Sequence, residues 1–307
     1  ITHEVAEELL AAAGLDYQQL KAEAVKPGFR AVPMGDLTAS IELELDTTTS
    51  NSRNVAGVLP GSKYPDETIV YTAHWDHFGA RQGEDGELLI YNGAVDNASG
   101  VAGLLGLARL HAEHGPYERS LVFLSVTAEE FGLLGSLYYA ENPLSPGETT
   151  VANLNMDGVY SFDGPTKDIA VVGYGNSELE GYLQTEADKQ GRVIGGEPNP
   201  EKGYYYRSDH FSFAKQGVPA LYLTTATDSV EHGKAWGQNQ LDAYVSHDYH
   251  KVSDDYSPDW DMSGAAQDVM LFFGIGEALA NGRDWPNWNE GTEFKLKRDE
   301  SSVKRGE

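Results

Sequence analysis

The feature that most limits what this chain can fold into is an alternation of two kinds of segment. Short apolar runs rich in β-branched and aromatic residues occur at Glu67–Ala73, Arg119–Thr127, Val151–Met156 and Pro219–Thr224, with Asp168–Gly173 a further strand candidate. Between them lie stretches with apolar residues at helical spacing: Ala98–His111, Phe131–Ala140, Ser177–Gln190 and Ser208–Gln216. In Ala98–His111, Val101, Leu104, Leu105, Ala108 and Leu110 suit a helix packed on a sheet. Strand alternating with helix from Ile69 through Thr225 predicts an α/β fold: a doubly wound, mostly parallel central sheet flanked by helices. A strong closing helix is expected over Asp261–Ala280. The 307 residues suffice for one large domain of this kind and a modest appendage.

Open α/β sheets bind ligands beyond the carboxyl ends of their strands, and it is there that this sequence places its ionisable residues. The first run ends in His74-Trp75-Asp76, and Asp96 stands just before a helix amino terminus. The next run ends in Glu129–Glu130, the third delivers Asp157–Gly158, and Tyr249–His250 follows in a polar loop. Histidines beside aspartates are common on surfaces, but here each candidate follows a different strand or lies in a loop. A pair of divalent cations needs one bridging carboxylate, and an imidazole plus a carboxylate for each ion. It also needs a spare carboxylate to take a proton from the attacking water, and adjacent glutamates let one ligate while the other stays free. Asp76, two residues from His74, is expected to hold the ligating imidazole in its correct tautomer.

In this order, the His-x-Asp, the Asp followed by Asn, the Glu-Glu pair, the Asp-Gly and the Tyr-His resemble the M28 peptidases, a family of di-zinc aminopeptidases. The resemblance covers roughly Asn54 to Gly282. It implies the zinc-dependent exopeptidase fold and two Zn2+ ions per chain. By position, it implies that His74 and Asp157 bind one zinc, that Glu130 and His250 bind the other, and that Asp96 bridges them. Glu129 is then the general base, Tyr249 hydrogen-bonds the developing oxyanion, and Arg207 contacts substrate. A cis peptide between Asp96 and Asn97 is likewise expected from the resemblance. The activity implied is removal of the amino-terminal residue from peptides. An extracellular or periplasmic location is implied by secreted and periplasmic relatives, and residues 1–45 resemble the trailing part of a protease-associated domain.

Lys and Arg total 22 against 48 Asp and Glu, giving a formal charge of −26. Like charge then argues against nucleic acid or an anionic membrane as partner. There are no cysteines, so disulfides and thiolate metal sites are excluded, and no apolar run is long enough to cross a bilayer. The first residue is Ile1, which is expected of a processed or truncated chain. The expected organisation is an amino-terminal arm over 1–45, a catalytic domain over 46–283 and a tail over 284–307. The arm is read either as that domain remnant or as a helical arm. Thr2 is expected to cap a helix over His3–Ala13 that stops at Gly14. Residues 41–45 and 54–59 are expected to pair as an edge hairpin, and 225–246 to form a long polar loop. The tail from Arg283 is expected on the surface or partly disordered.

Tyr204, Tyr205 and Tyr206 are read either as a pocket wall or as a tether for their loop. His111 and His114 are expected to face solvent, His210 to be structural or to support the site, and His247 rivals His250 as the last imidazole ligand. The triplet Asn97-Ala98-Ser99 satisfies a glycosylation pattern, but a junction lining a site would not admit a glycan. Two-metal carboxypeptidases and deacylases share several of these motifs but insert a whole domain before the last His. Metallo-β-lactamase-like hydrolases need a His where this chain has Thr72. A non-catalytic binding module on the same fold would have lost ligands or the base that this chain retains. Preferred side chain, native metal and oligomeric state are not fixed by the sequence.

Overall fold

The computed structural model describes residues 1–158 and 164–305. They form two compact units, Ile1–Ser50 and Asn51–Glu307. In the first, helix α1 (His3–Ala12) begins at Thr2, whose hydroxyl accepts from the Val5 amide, and the turn after it uses Gly14 at φ +73°. Helix α2 (Tyr17–Ala24) is capped by the Asp16 carboxylate, which accepts from the Gln19 amide at 2.7 Å. Residues 41–45 form no strand and leave Ile41, Leu43 and Leu45 exposed, so the expected hairpin is absent.

The second unit is built on a seven-stranded sheet of β1 (Val55–Leu59), β2 (Tyr64–His74), β5 (Arg119–Val126), β6 (Thr150–Met156), β7 (Asp168–Val171), β8 (Val193–Gly196) and β9 (Ala220–Thr224). Its order is β1-β5-β2-β6-β9-β7-β8. β5, β2, β6 and β9 run parallel; β1 and β7 are antiparallel to their neighbours β5 and β9, and β8 is parallel to β7. Two short strands not foreseen in the sequence, β3 (Gly79–Gln82) and β4 (Leu88–Tyr91), form a separate antiparallel ribbon.

Alternation along β2 divides the core. Ile69, Tyr71 and Ala73 share one core cluster with Leu104 and Leu107 of α3 (Gly100–His114), Leu183 of α5 (Leu179–Gln190) and Phe272 of α8 (Ser263–Asn281). On the opposite face Val70 joins Val122 and Leu124 against Tyr139 of α4 (Leu134–Glu141) and Phe213 of α6 (His210–Ala214). Burying each large apolar side chain contributes about 1.5–3 kcal/mol, which favours covering both faces of the parallel strands.

Two segments depart from expectation. The expected loop over 225–246 runs instead into a helix, α7 (Lys234–His247). The tail ends in helix α9 (Lys295–Arg305) and packs on the sheet: Trp288 is buried and donates Nε1–H to the Gly217 carbonyl. Arg298 is buried too, its guanidinium donating to the carbonyls of Thr150, Val151 and Pro286. The last two residues of that tail lie outside the described residues.

Candidate active site

β5, β2 and β6 are adjacent and parallel, so the residues just beyond their carboxyl ends are brought together. His74 is the last residue of β2 and is buried; Glu129–Glu130 follow β5, and Asp157 follows β6. Asp96 arrives from the junction before α3, and the Asp96–Asn97 peptide is cis, as expected. His250 arrives from beyond α7 with φ +61°, its ring stacked on that of Tyr249 at 3.7 Å.

The two oxygens of Asp96 face two imidazoles. His74 Nε2 lies 3.1 Å from Asp96 Oδ1 and 3.3 Å from Asp157 Oδ1. His250 Nε2 lies 3.2 Å from Asp96 Oδ2 and 3.4 Å from Glu130 Oε2. Donor atoms within 4.8 Å of one another form three overlapping groups among the described residues: His74, Glu129 and Glu130; His74, Asp96 and Asp157; His77, Asp96 and Glu130. Around a tetrahedral cation with bonds of about 2.0–2.1 Å, ligand atoms stand about 3.3 Å apart. The four separations made by His74 and His250 match that spacing, so this donor set fits a zinc-sized cation on each side of Asp96.

Electrostatics favour the same view. Burial, together with the neighbouring Asp157 carboxylate, pushes the Glu129 carboxyl up to about 10. Burial opposes protonation of His74, yet the Asp157 and Asp96 carboxylates raise its ring well above the ordinary imidazole value. Asp96 is held below the usual carboxylate range; burial works against this, but hydrogen bonds with His250 and His74 prevail. Crowding of buried carboxylates is costly unless positive charge joins them.

The surroundings fix these groups. The Asp76 carboxylate lies 3.8 Å from His74 Nδ1, and it is the Asp76 backbone carbonyl, at 3.1 Å, that accepts from that nitrogen. The Asp76 carboxylate instead accepts the amides of Glu129 and Glu130, orienting the glutamate pair. Asp157 Oδ2 accepts from Ser208 at 2.6 Å, and Ser208 accepts from Asn155. Asn97 donates to the Met156 carbonyl and accepts from the Gly158 amide, tying the Asp96 junction to the end of β6. Asn97 is thereby buried, where a glycan has no room. Asp254 is buried and accepts from the amides of Val95 and Asp96 and from the Tyr244 hydroxyl. The sequence signals for these supports were slight: Ser208 sits in the Arg-Ser-Asp-His string, and Asp254 is the first of two aspartates after His250.

A cavity of about 590 Å³ opens beside the cluster. Glu129, Tyr249, Tyr204, Tyr206 and Arg207 line it, together with Leu241 of α7. Tyr205 points away and is buried against Trp288 and Phe294, so the tyrosine triplet is both wall and tether. Of the rival histidines, His247 is exposed and hydrogen-bonds the Ala243 carbonyl of its own helix. His210 is buried beneath Tyr205 and Tyr222. His111 is not solvent-facing: it is buried between the hydroxyls of Tyr71 and Tyr117, because its face of α3 meets α8 as well as the sheet. His114 is exposed as expected. His77, not nominated as a site residue, contacts Glu130 through Nδ1.

A profile of peptidase family M28 matches residues 54–274. Over 141 residues the chain is 35% identical to the aminopeptidase NAALADL1 of Rattus norvegicus, a match covering 43% of this chain and 17% of that protein. A zinc aminopeptidase from Bacillus subtilis has a TM-score of 0.54 at 22% identity, over 79% of this chain and 52% of that one. A leucine aminopeptidase precursor from Bacteroides thetaiotaomicron has a TM-score of 0.52 at 19% identity, over 76% of this chain and 77% of that one. At such identities the likeness is one of fold, and the chain spans only part of the length of the rat and Bacillus relatives.

Proposed function

The chain belongs to peptidase family M28, and on that premise we propose that it is a zinc-dependent aminopeptidase, removing the amino-terminal residue of peptides with two zinc ions per chain. The observation that carries this reading is the pair of imidazoles on opposite oxygens of one buried carboxylate, His74 at Asp96 Oδ1 and His250 at Asp96 Oδ2. In this reading His74 and Asp157 would hold one ion, Glu130 and His250 the other, and Asp96 would be shared between them. Bound there, zinc acidifies water and polarises the scissile carbonyl.

Glu129 is the proton carrier: it takes a proton from the attacking water and returns it to the leaving amine. Its place in the cavity lining, within reach of His74 and Glu130, supports that role. Tyr249 lines the cavity, and its hydroxyl donates to the oxygen on which negative charge develops. Burial and the Asp96 carboxylate push the Tyr249 phenol upward, so it remains a donor throughout the working range. Arg207 contacts the substrate from the cavity wall, and Asp76 keeps His74 and the glutamate pair in place. Among the described residues no helix is long and apolar enough to cross a membrane; location in the periplasm or outside the cell is part of the proposal, supported by the family likeness. The 1–45, 46–283 and 284–307 division likewise stands as a proposal about domain roles.

The test is hydrolysis of aminoacyl p-nitroanilides beside their N-acetylated counterparts, before and after chelation and zinc return. Cleavage confined to free-amine substrates, lost on chelation and restored by zinc, is the expected result. Cleavage of the acetylated set would replace the reading with a deacylase or endopeptidase.

A further inference from the structure

Resting on the two-zinc reading, we propose that His77 is a positioning residue for the second ion. It fixes the Glu130 carboxylate so that only Oε2 is offered to the metal. His77 Nδ1 contacts Glu130 Oε1 at hydrogen-bond range, whereas Glu130 Oε2 turns toward His250 Nε2 at 3.4 Å. The first contact is a direct hydrogen bond to one carboxylate oxygen, and the second, to the other oxygen, matches the ligand-to-ligand spacing of about 3.3 Å expected around a tetrahedral zinc. His77 therefore belongs behind Glu130 rather than on the ion. A carboxylate needs a donor, so Nδ1 carries a proton, and Nε2 is buried without a hydrogen-bond partner.

The ring has little freedom to do otherwise. A Cβ at Gly93 would stand 2.8 Å from His77 Cγ and 2.2 Å from the Asp96 carbonyl oxygen, so glycine lets the imidazole lie against the loop that carries Asp96. Phe78 packs on the His77 ring at 4.8 Å and on the His250 ring at 4.9 Å. The chain thus builds one packed block from His77, Phe78 and His250 around Glu130. With Oε1 engaged, Glu130 would offer Oε2 alone to a bound ion.

The test uses two variants of the zinc-loaded protein, His77→Asn and His77→Gln. The Asn amide nitrogen falls near the position of Nδ1 and keeps a donor for Glu130; the Gln amide reaches the position of Nε2 and does not. Supporting groups of this kind typically change metal affinity by about 10–100-fold. In chelator competition, H77Q is expected to weaken one of the two zinc ions by about that factor and the other by less than about twofold, while H77N stays close to wild type. The cobalt-substituted H77Q protein is expected to show an altered visible spectrum from one ion, while the count of coordinated imidazoles by X-ray absorption stays that of wild type. Equal affinities in H77Q and H77N, equal weakening of both ions, or loss of a coordinated imidazole would each overturn the proposal. Failure of the wild type to bind two ions would instead overturn the reading it rests on.

Discussion

Replacing Asp254 by Asn tests how the bridging carboxylate is held. Asp254 is only 2% exposed, and its carboxylate accepts the Val95 amide at 2.9 Å, the Asp96 amide at 3.1 Å and the Tyr244 hydroxyl at 3.2 Å. Asn keeps one acceptor, which can serve Val95, but sets an amide group against the other two donors. The Tyr244 hydroxyl can rotate; the Asp96 amide cannot. Hydrogen bonds to charged groups are worth about 1.5–3 kcal/mol and a buried unsatisfied amide costs about 1–3 kcal/mol, so D254N is expected to lose about 2–4 kcal/mol. Part of that loss falls on the placement of Asp96, so both zinc ions are expected to weaken together. Urea denaturation of the metal-free protein measures the first effect and chelator competition the second. Unchanged denaturation and unchanged zinc affinity would refute the claim that Asp254 sets the Asp96 peptide, and weakening of one ion alone would refute the bridge.

Glu129→Gln should retain both zinc ions within a few-fold and lose about 10²–10⁴-fold in turnover, as expected for a general acid–base group; steady-state kinetics beside metal analysis decides it, and near-normal turnover removes the role. Gly276→Ala places a methyl 1.6 Å from the Tyr71 hydroxyl, which hydrogen-bonds His111 at 2.9 Å and the Phe272 carbonyl at 3.0 Å. Overpacking of about 1–3 kcal/mol plus about 1 kcal/mol of lost hydrogen bonding should lower stability by about 2–4 kcal/mol in urea, and a loss under about 0.5 kcal/mol would refute the packing. Burial, with a smaller contribution from His114, lowers His111 from 6.5 to about 4. A depressed imidazole stabilises the fold above its unfolded value and loses that stabilisation as pH falls toward the folded value. Between pH 6.5 and 4 the wild type should therefore lose more stability than His111→Gln, and parallel curves would refute it.

The parts of this protein legible in the sequence are those where local pattern and long-range placement coincide. Ile69–Ala73 reads as a buried strand because every side chain is apolar or small, and His74 at its end is where the sheet opens. Helix α7 was hidden because only Gly237 is buried along it; the rest of the helix carries polar residues, without the apolar stripe that marks a core helix. The tail was hidden by its charges. Arg298 looks solvent-bound in the sequence, yet strand-end carbonyls of β6 satisfy its guanidinium, which offsets the cost of burying it. Alternation in Ile41–Leu45 promised a strand, but period alone forms no sheet without a partner edge. Nothing beside His77 in the sequence marks it out, because Glu130, its partner, is far away along the chain.

The grip of Arg298 on the first residues of β6 has a mechanical side. β6 is a seven-residue strand, about 20 Å long and stiffened on both edges by β2 and β9, with Asp157 just beyond its far end. Such a strand is a strut: a guanidinium holds the carbonyls at one end, and a site carboxylate follows the other. The carboxyl-terminal helix thereby takes hold of the strand whose far end leads into Asp157.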